Sequence, residues 1–173
     1  VGDSKISCYH GSSHGQVSFQ KSFAKSCNSS FANIGMSLDR EAFQETLNDL
    51  LFNKDLPLTL NYAKSSAIVS ESTPSSEMMQ TSIGQGKTQI TPMHLNMITC
   101  AIANDGVLMK PYVIDHVEND EGTVVKSFKA SEYGRLMTED ESAILKQLMT
   151  DVVEEGTASK LRGLNYTAAG KTG

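Results

Sequence analysis

The sequence predicts an α+β chain, rich in helix and with a few strands late in its length. Three observations lead there. Apolar residues recur at helical spacing behind good N-cap residues at several places. Alternating apolar residues flank a Gly-containing turn only after residue 106. With 39% hydrophobic and 20% charged residues among 173, the composition is that of a globular domain large enough to bury a core.

Ser4 to Gln16 is polar and rich in Gly and Ser, and reads as a loop. Ser18 caps a short helix whose Phe19, Phe23 and Ala24 share a face. Ser26-Cys27-Asn28 interrupts it, and Asn28 or Ser29 caps a second helix carrying Phe31, Ala32, Ile34 and Gly35. Asp39 caps a third, running to Phe52, with Phe43, Leu47, Leu50 and Leu51 on one side. Residues 56–77, with Pro and Ser clusters, read as extended irregular chain. A short helical turn at Ser76 to Ser82 runs into a loop at Gly84 to Gly86. Thr91 caps the next helix, with Pro92 at its first position and Asp105-Gly106 after it. Residues 107–130 read as two strands around a turn at Asn119 to Gly122. Thr138 caps a long amphipathic helix with acidic residues in its first turn, where the helix dipole favours them, and Gly156 ends it. After a connector, Leu164 to Gly173 reads as one strand.

Bulk properties exclude several function classes. A net charge of -5 with scattered basic residues gives no footprint for nucleic acid. No apolar stretch is long enough to cross a membrane. Three cysteines, Cys8, Cys27 and Cys100, do not make a disulfide framework and read as buried or idle thiols. The Gly86-Lys87-Thr88 and Gly170-Lys171-Thr172 runs lack the earlier glycine of a phosphate-binding loop, with Thr81 and Asn165 in its place. Cys8, His10 and His14 match no common metal spacing and lack an evident fourth ligand, so the expectation is a solvated loop and no metal. His94 in its helix and His116 in its strand read as ordinary half-buried residues. No cofactor is implied.

Two short motifs remain. Ser26-Cys27-Asn28 places a hydroxyl and an amide two apart at a helix junction, from which both can point into one cleft. Lys171-Thr172-Gly173 follows the apparent last strand. Either alone reads as capping or as a solvated strand end. Together and in this order they are two of the three motifs shared by penicillin-binding proteins and class A β-lactamases. The segments FAKSCNSSFANIG, IGQGKTQITPMHLNMITCAIANDGVLMKP and EEGTASKLRGLNYTAAGKTG resemble the corresponding regions of penicillin-binding transpeptidases. The resemblance runs from about His14 to Gly173, and is strongest to the monofunctional elongation- or division-type enzymes.

That resemblance implies a β-lactamase/transpeptidase-like fold with most of its antiparallel sheet outside this chain. Residues 1–173 would be one partial transpeptidase domain. It implies serine acyl transfer between D-Ala-D-Ala stem peptides of peptidoglycan, and covalent capture of β-lactam antibiotics. By match to the motifs, Ser26 would relay protons to the leaving amine and Asn28 would orient the substrate amide. Lys171 would hold a positive field over the site, Thr172 would help bind the substrate carboxylate, and Gly173 would let substrate lie close. The loop at Gly84 to Gly86 would support the cleft. Two Ser-x-x-Lys matches exist, at Ser18 and Ser22, but both lie immediately before Ser26, where the family does not place its nucleophile. The expectation is therefore that the nucleophile lies before Val1, that Val1-Gly2-Asp3 is mid-chain, and that the chain alone is inactive and prone to self-associate. The parent protein would be membrane-anchored, with this domain on the extracytoplasmic face. The rival readings are a β-lactamase or β-lactam-sensing relative, and a non-catalytic binding or scaffold module.

Overall fold

The computed structural model describes residues 5–173 of the chain, so the reading of Val1-Gly2-Asp3 lies outside the described residues. Six α-helices and four short strands are present among them: α1 (Phe19–Ala24), α2 (Asn28–Ser37), α3 (Arg40–Asp49), α4 (Ser75–Thr81), α5 (Pro92–Ala103), β1 (Val107–Met109), β2 (His116–Glu118), β3 (Val124–Ser127), β4 (Glu132–Arg135) and α6 (Glu139–Glu154). The helix-rich α+β expectation holds.

Most helix starts follow from side-chain caps. Ser18, Asp39, Thr91 and Thr138 each accept a hydrogen bond from a backbone N–H of the first turn. At Thr138 the exchange is mutual, because the Glu141 carboxylate accepts from the Thr138 N–H at 2.8 Å. The α2 start differs from expectation. Cys27 occupies the N-cap position without a capping side chain, and Asn28 is already helical. Helix α3 stops at Asp49 rather than Phe52, because Leu51 adopts a left-handed φ of 69°.

Two apolar clusters form the core. Leu47, Phe52, Ala67, Val69 and Met78 form one, with Met36, Phe43, Leu50 and Ile98 against it. Leu51, Leu56, Met97, Ala101 and Leu108 form the other. Between α3 and α4 the chain runs without strand or helix past the first cluster, so its buried backbone groups need side-chain partners. Asn53 supplies both halves of a ladder pair, donating from Nδ2 to the Ala67 carbonyl at 2.7 Å and accepting the Ala67 N–H at 3.1 Å. Gln44 Oε1 accepts the Val69 N–H at 2.6 Å. Arg40 donates to the carbonyls of Ser70, Glu71 and Thr73.

Strands pair in two small antiparallel sheets, β1 with β4 and β2 with β3. The reading of residues 107–130 found the β2–β3 hairpin and its turn, but not that Val107–Met109 leaves to pair with Glu132–Arg135. The expected strand over Leu164 to Gly173 is not formed. A strand exists through its ladder, and no strand borders this segment among the described residues. Its backbone is tied instead where the Gly170 N–H donates to the Met149 carbonyl at 3.1 Å.

His94 also departs from expectation, since it is fully buried. Its Nε2 donates to the Leu50 carbonyl at 2.7 Å, its ring lies 5.0 Å from that of Phe52, and Nδ1 has no partner among the described residues. Desolvation lowers its pKa below the usual 6.5, against a smaller opposing effect of the Leu50 hydrogen bond. The unfolded chain binds the proton more readily, so this contribution is complete above pH 6.5 and is lost as pH falls below it. Replacement of His94 by Gln should lower stability at pH 7.5 by about 1–3 kcal/mol. It should also flatten the fall between pH 7.5 and 5.5, read as urea midpoints. An unchanged pH slope in the variant would contradict this account.

Candidate active site

The cleft is built where α1, the α1–α2 junction, the C-terminal end of α6 and the last residues converge. Helices α1 and α6 approach closely because residue 156 is glycine. A Cβ there would lie 2.2 Å from the Ala24 carbonyl oxygen and 2.7 Å from the Val152 backbone. With that space free, the Thr157 N–H donates to the Ala24 carbonyl at 3.1 Å, and Lys25 Nζ donates to the Glu155 carbonyl. Deeper in the same seam, Asp151 accepts from Gln20 Nε2 at 2.6 Å and from Gln147 Nε2 at 3.0 Å.

Ser26 sits in the break between α1 and α2 with a left-handed φ of 51°. Such a conformation is costly for a residue other than glycine and is retained where packing imposes it. It ends α1, whose Phe23 carbonyl accepts the Ser26 N–H at 3.1 Å. Lys171 reaches the Ser26 hydroxyl from 145 residues away, with Nζ donating to Oγ at 2.6 Å. The same ammonium donates to the Thr172 carbonyl at 2.7 Å and lies 5.9 Å from the Phe23 ring centroid. Desolvation lowers the Lys171 pKa below the usual lysine value. Thr172 Oγ1 is 2.7 Å from Thr157 Oγ1, so one hydroxyl of that pair must donate to the other. Asn28 donates from Nδ2 to the Ser7 carbonyl at 3.1 Å, which ties the N-terminal loop to the start of α2.

These groups share an open cleft of about 740 Å³, which Ser26, Asn28, Lys171, Thr172 and Gly173 all line. All five residues singled out in the sequence therefore come together. Ile83 and Gln85 add a wall from the Gly loop. That loop is held because α2 and α4 pack closely at Gly35, where a Cβ would fall 1.7 Å from Ser82 Oγ. The sequence reading missed Tyr9, Ser12, His14, Lys25, Gly156 and Thr157 as lining residues. Thr157 had one available signal, its place directly after the glycine that stops α6. Tyr9 and Ser12 had none, being polar loop residues among others.

Lys25 of the second Ser-x-x-Lys match lines the cleft, but neither match brings its serine there. The Ser22 side chain is buried, and Ser18 is engaged in capping α1. The loop of Cys8, His10 and His14 is not simply solvated, since Cys8 is buried against Cys27. Burial raises the Cys8 thiol pKa, but hydrogen bonds to the Ser29 backbone and hydroxyl, to Cys27 and to His14 outweigh it and leave the pKa at about 7.

With this geometry established, comparison with known families matches residues 1–173 to the penicillin binding protein transpeptidase domain. The chain belongs to that family. The peptidoglycan D,D-transpeptidase PbpA of Mycolicibacterium smegmatis is 28% identical over 160 residues, covering 91% of this chain and 32% of the relative. Stage V sporulation protein D of Bacillus subtilis is 24% identical over the whole chain and 27% of its own length. The crystal structure of PBPA from Mycobacterium tuberculosis superposes with a TM-score of 0.81 at 25% identity, covering 91% of this chain and 37% of that one. The D,D-transpeptidase domain of a peptidoglycan glycosyltransferase from Eggerthella lenta shares the fold, with a TM-score of 0.84 over 99% of this chain and 45% of that one. The chain thus spans about a third of the length of these curated relatives. No helix among the described residues is long and apolar enough to cross a membrane.

Since Gly156 admits the α1–α6 contact, Gly156→Ala should cost about 1–3 kcal/mol through steric conflict with backbone atoms that cannot rotate away. Thermal unfolding monitored by circular dichroism should show a midpoint lower by several degrees. An unshifted midpoint would mean that the helices separate freely there.

Proposed function

We propose that this chain forms one wall and part of the floor of a peptidoglycan D,D-transpeptidase site that works by serine acyl transfer. The observation that carries the reading is the Lys171 Nζ to Ser26 Oγ hydrogen bond in a cleft shared with Asn28, Thr172 and Gly173. A serine nucleophile attacks the carbonyl of a D-Ala-D-Ala stem peptide and must return a proton to the departing amine. Ser26, held by an ammonium donor, has its own O–H free to pass that proton. Lys171 supplies fixed positive charge beside the developing oxyanion, in a position that needs no reorganisation during reaction. The Thr172 hydroxyl, paired with Thr157, faces the place where a substrate carboxylate would lie. Gly173 presents bare backbone, so an extended substrate can lie against it. Asn28 would offer its carbonyl oxygen to the substrate amide while its NH2 holds Ser7.

β-Lactams would enter the same site as mimics of the D-Ala-D-Ala end. One structural relative is a penicillin G acyl-enzyme complex of M. tuberculosis penicillin-binding protein A, with a TM-score of 0.76 at 25% identity. The acylating serine is proposed to lie outside residues 1–173, because Ser22 is buried and Ser18 caps a helix. The chain by itself then neither acylates nor turns over. As cross-linking of peptidoglycan occurs outside the cytoplasmic membrane, the domain is placed on the extracytoplasmic face.

Intact mass after incubation with penicillin tests this reading. A version of the protein extended to include the upstream Ser-x-x-Lys should gain one drug mass, and this chain should gain none. In the extended protein Lys171→Met should slow acylation by about 10²–10³-fold, as loss of one electrostatic donor does elsewhere. Labelling of neither version would return the chain to a non-catalytic role, and labelling of this chain alone would move suspicion to Ser22 or Ser18.

A further inference from the structure

Lys25 stands at the cleft without a part in the chemistry described above. It lines the same cavity as Ser26, Lys171 and Thr172. The chain has a net charge of -5, yet the residues lining this cleft include two lysines and neither an Asp nor a Glu. Among the described residues no carboxylate lies within salt-bridge distance of either lysine. The two differ in how far their donors are spent. An ammonium has three N–H donors. Lys171 uses two, on Ser26 Oγ and on the Thr172 carbonyl. Lys25 uses one, on the Glu155 carbonyl, and that bond holds its side chain at the end of α6. From Glu155 the chain passes through Gly156 to Thr157, whose hydroxyl meets that of Thr172 at 2.7 Å. The Thr157 N–H on the Ala24 carbonyl, at 3.1 Å, closes the same turn against the residue before Lys25. The hydroxyl pair is thus tied to both lysines: to Lys171 through its neighbour Thr172, and to Lys25 through the turn from Glu155 to Thr157.

We propose that Lys25 is a second cation for the terminal carboxylate of the substrate, acting with Lys171 at the Thr157–Thr172 hydroxyl pair. The inference rests on the transpeptidase reading. Donor counting leads to it. A carboxylate has about four lone-pair sites to satisfy. One of the paired hydroxyls spends its proton on the other, so the pair offers an anion a single O–H. Lys171 has one N–H left. Those two donors meet about half of the need. The two N–H groups that Lys25 has left supply the rest. Charge leads the same way. A protein of net negative charge repels an anion at long range, and two ammonium groups without acidic partners reverse that field inside the cleft. Lys171 also holds Ser26, whereas Lys25 has no bond to a reacting side chain, so its role is recognition of the carboxylate. The site then prefers acyl donors that end in a free carboxylate over those that end in an amide.

Two acyl donors test this in the protein extended to include the upstream Ser-x-x-Lys. Both are N-acyl-D-Ala thioesters, one with a mercaptoacetate leaving group and one with its amide, mercaptoacetamide. The quantity read is the ratio of their kcat/KM values. The unaltered protein should favour the carboxylate. Lys25→Gln can still donate to the Glu155 carbonyl but carries no charge, and should lower the ratio by about 10-fold, mostly through KM. Lys25→Arg keeps the charge and should bring the ratio back to within about threefold of the unaltered value. Raising salt from about 50 mM to about 500 mM should shrink the carboxylate preference, and shrink it less in Lys25→Gln. Should Lys25→Gln fail to fold, Lys25→Met supplies a second uncharged side chain for the same ratio. A merely structural role, holding α6 against α1, would lower both rates together and leave the ratio where it was, and that result would overturn the proposal. So would a ratio that Lys25→Arg fails to restore. If the unaltered extended protein is neither labelled by penicillin nor able to turn over either thioester, the transpeptidase reading falls and this inference falls with it. Turnover with a ratio indifferent to residue 25 overturns this inference alone.

Discussion

The site depends on the close seam between α1 and α6. Ala24 offers its carbonyl to the Thr157 N–H, and Gly156 leaves the room for it to do so. This contact joins residues more than 130 positions apart. It places the end of α6 beside the break after α1, and the final residues follow from there. Thr157 then meets Thr172, and Lys171 meets Ser26. A hydrogen bond of 2.6 Å between two flexible groups would be transient on an unsupported surface. Here it is held because both backbones are anchored, one by α1 and the other by the Gly170 N–H on the Met149 carbonyl.

A second constraint acts on the other side of the cleft. The Gly loop has little regular structure, yet Ile83 and Gln85 stand at the cleft wall. They do so because α4 is pressed against α2 at Gly35, and α2 begins at Asn28. Helix α2 therefore connects the Ser26–Asn28 turn to the Gly loop as a short rigid bar. Both walls of the cleft are referred to one helix junction, and the strained φ at Ser26 sits at that junction. Backbone strain at such a point is compensated by packing on either side, which is how a serine can be held where glycine would be easier.

The N-terminal loop has a comparable logic. It carries little apolar area of its own, so burial alone would hold it weakly. Asn28 Nδ2 on the Ser7 carbonyl and the Cys8–Cys27 contact are what bring it against α2. Tyr9 and Ser12, which reach the cleft from this loop, follow from those contacts. The polar character of the loop and the shape of the cleft are thus coupled through a single turn.

Much of the local structure was legible from the residues. Thr91 with Pro92 and Thr138 with Glu141 announce α5 and α6 because capping and periodicity act within one or two turns of chain. The two motif triplets and their order were legible for the same reason, since each is contiguous. What the sequence could not determine is what each segment meets. The stretch from Leu164 carries strand-like residues but forms no ladder, because a ladder needs a neighbour. His94 looks like any helix histidine until Leu50 and Phe52 close over it. Cys27 reads as the middle of a motif and Cys8 as part of a polar loop, and only folding sets their sulfurs 3.7 Å apart. Tertiary packing decides these cases because the interacting groups are far apart in sequence, and short-range propensity carries no information about distant partners.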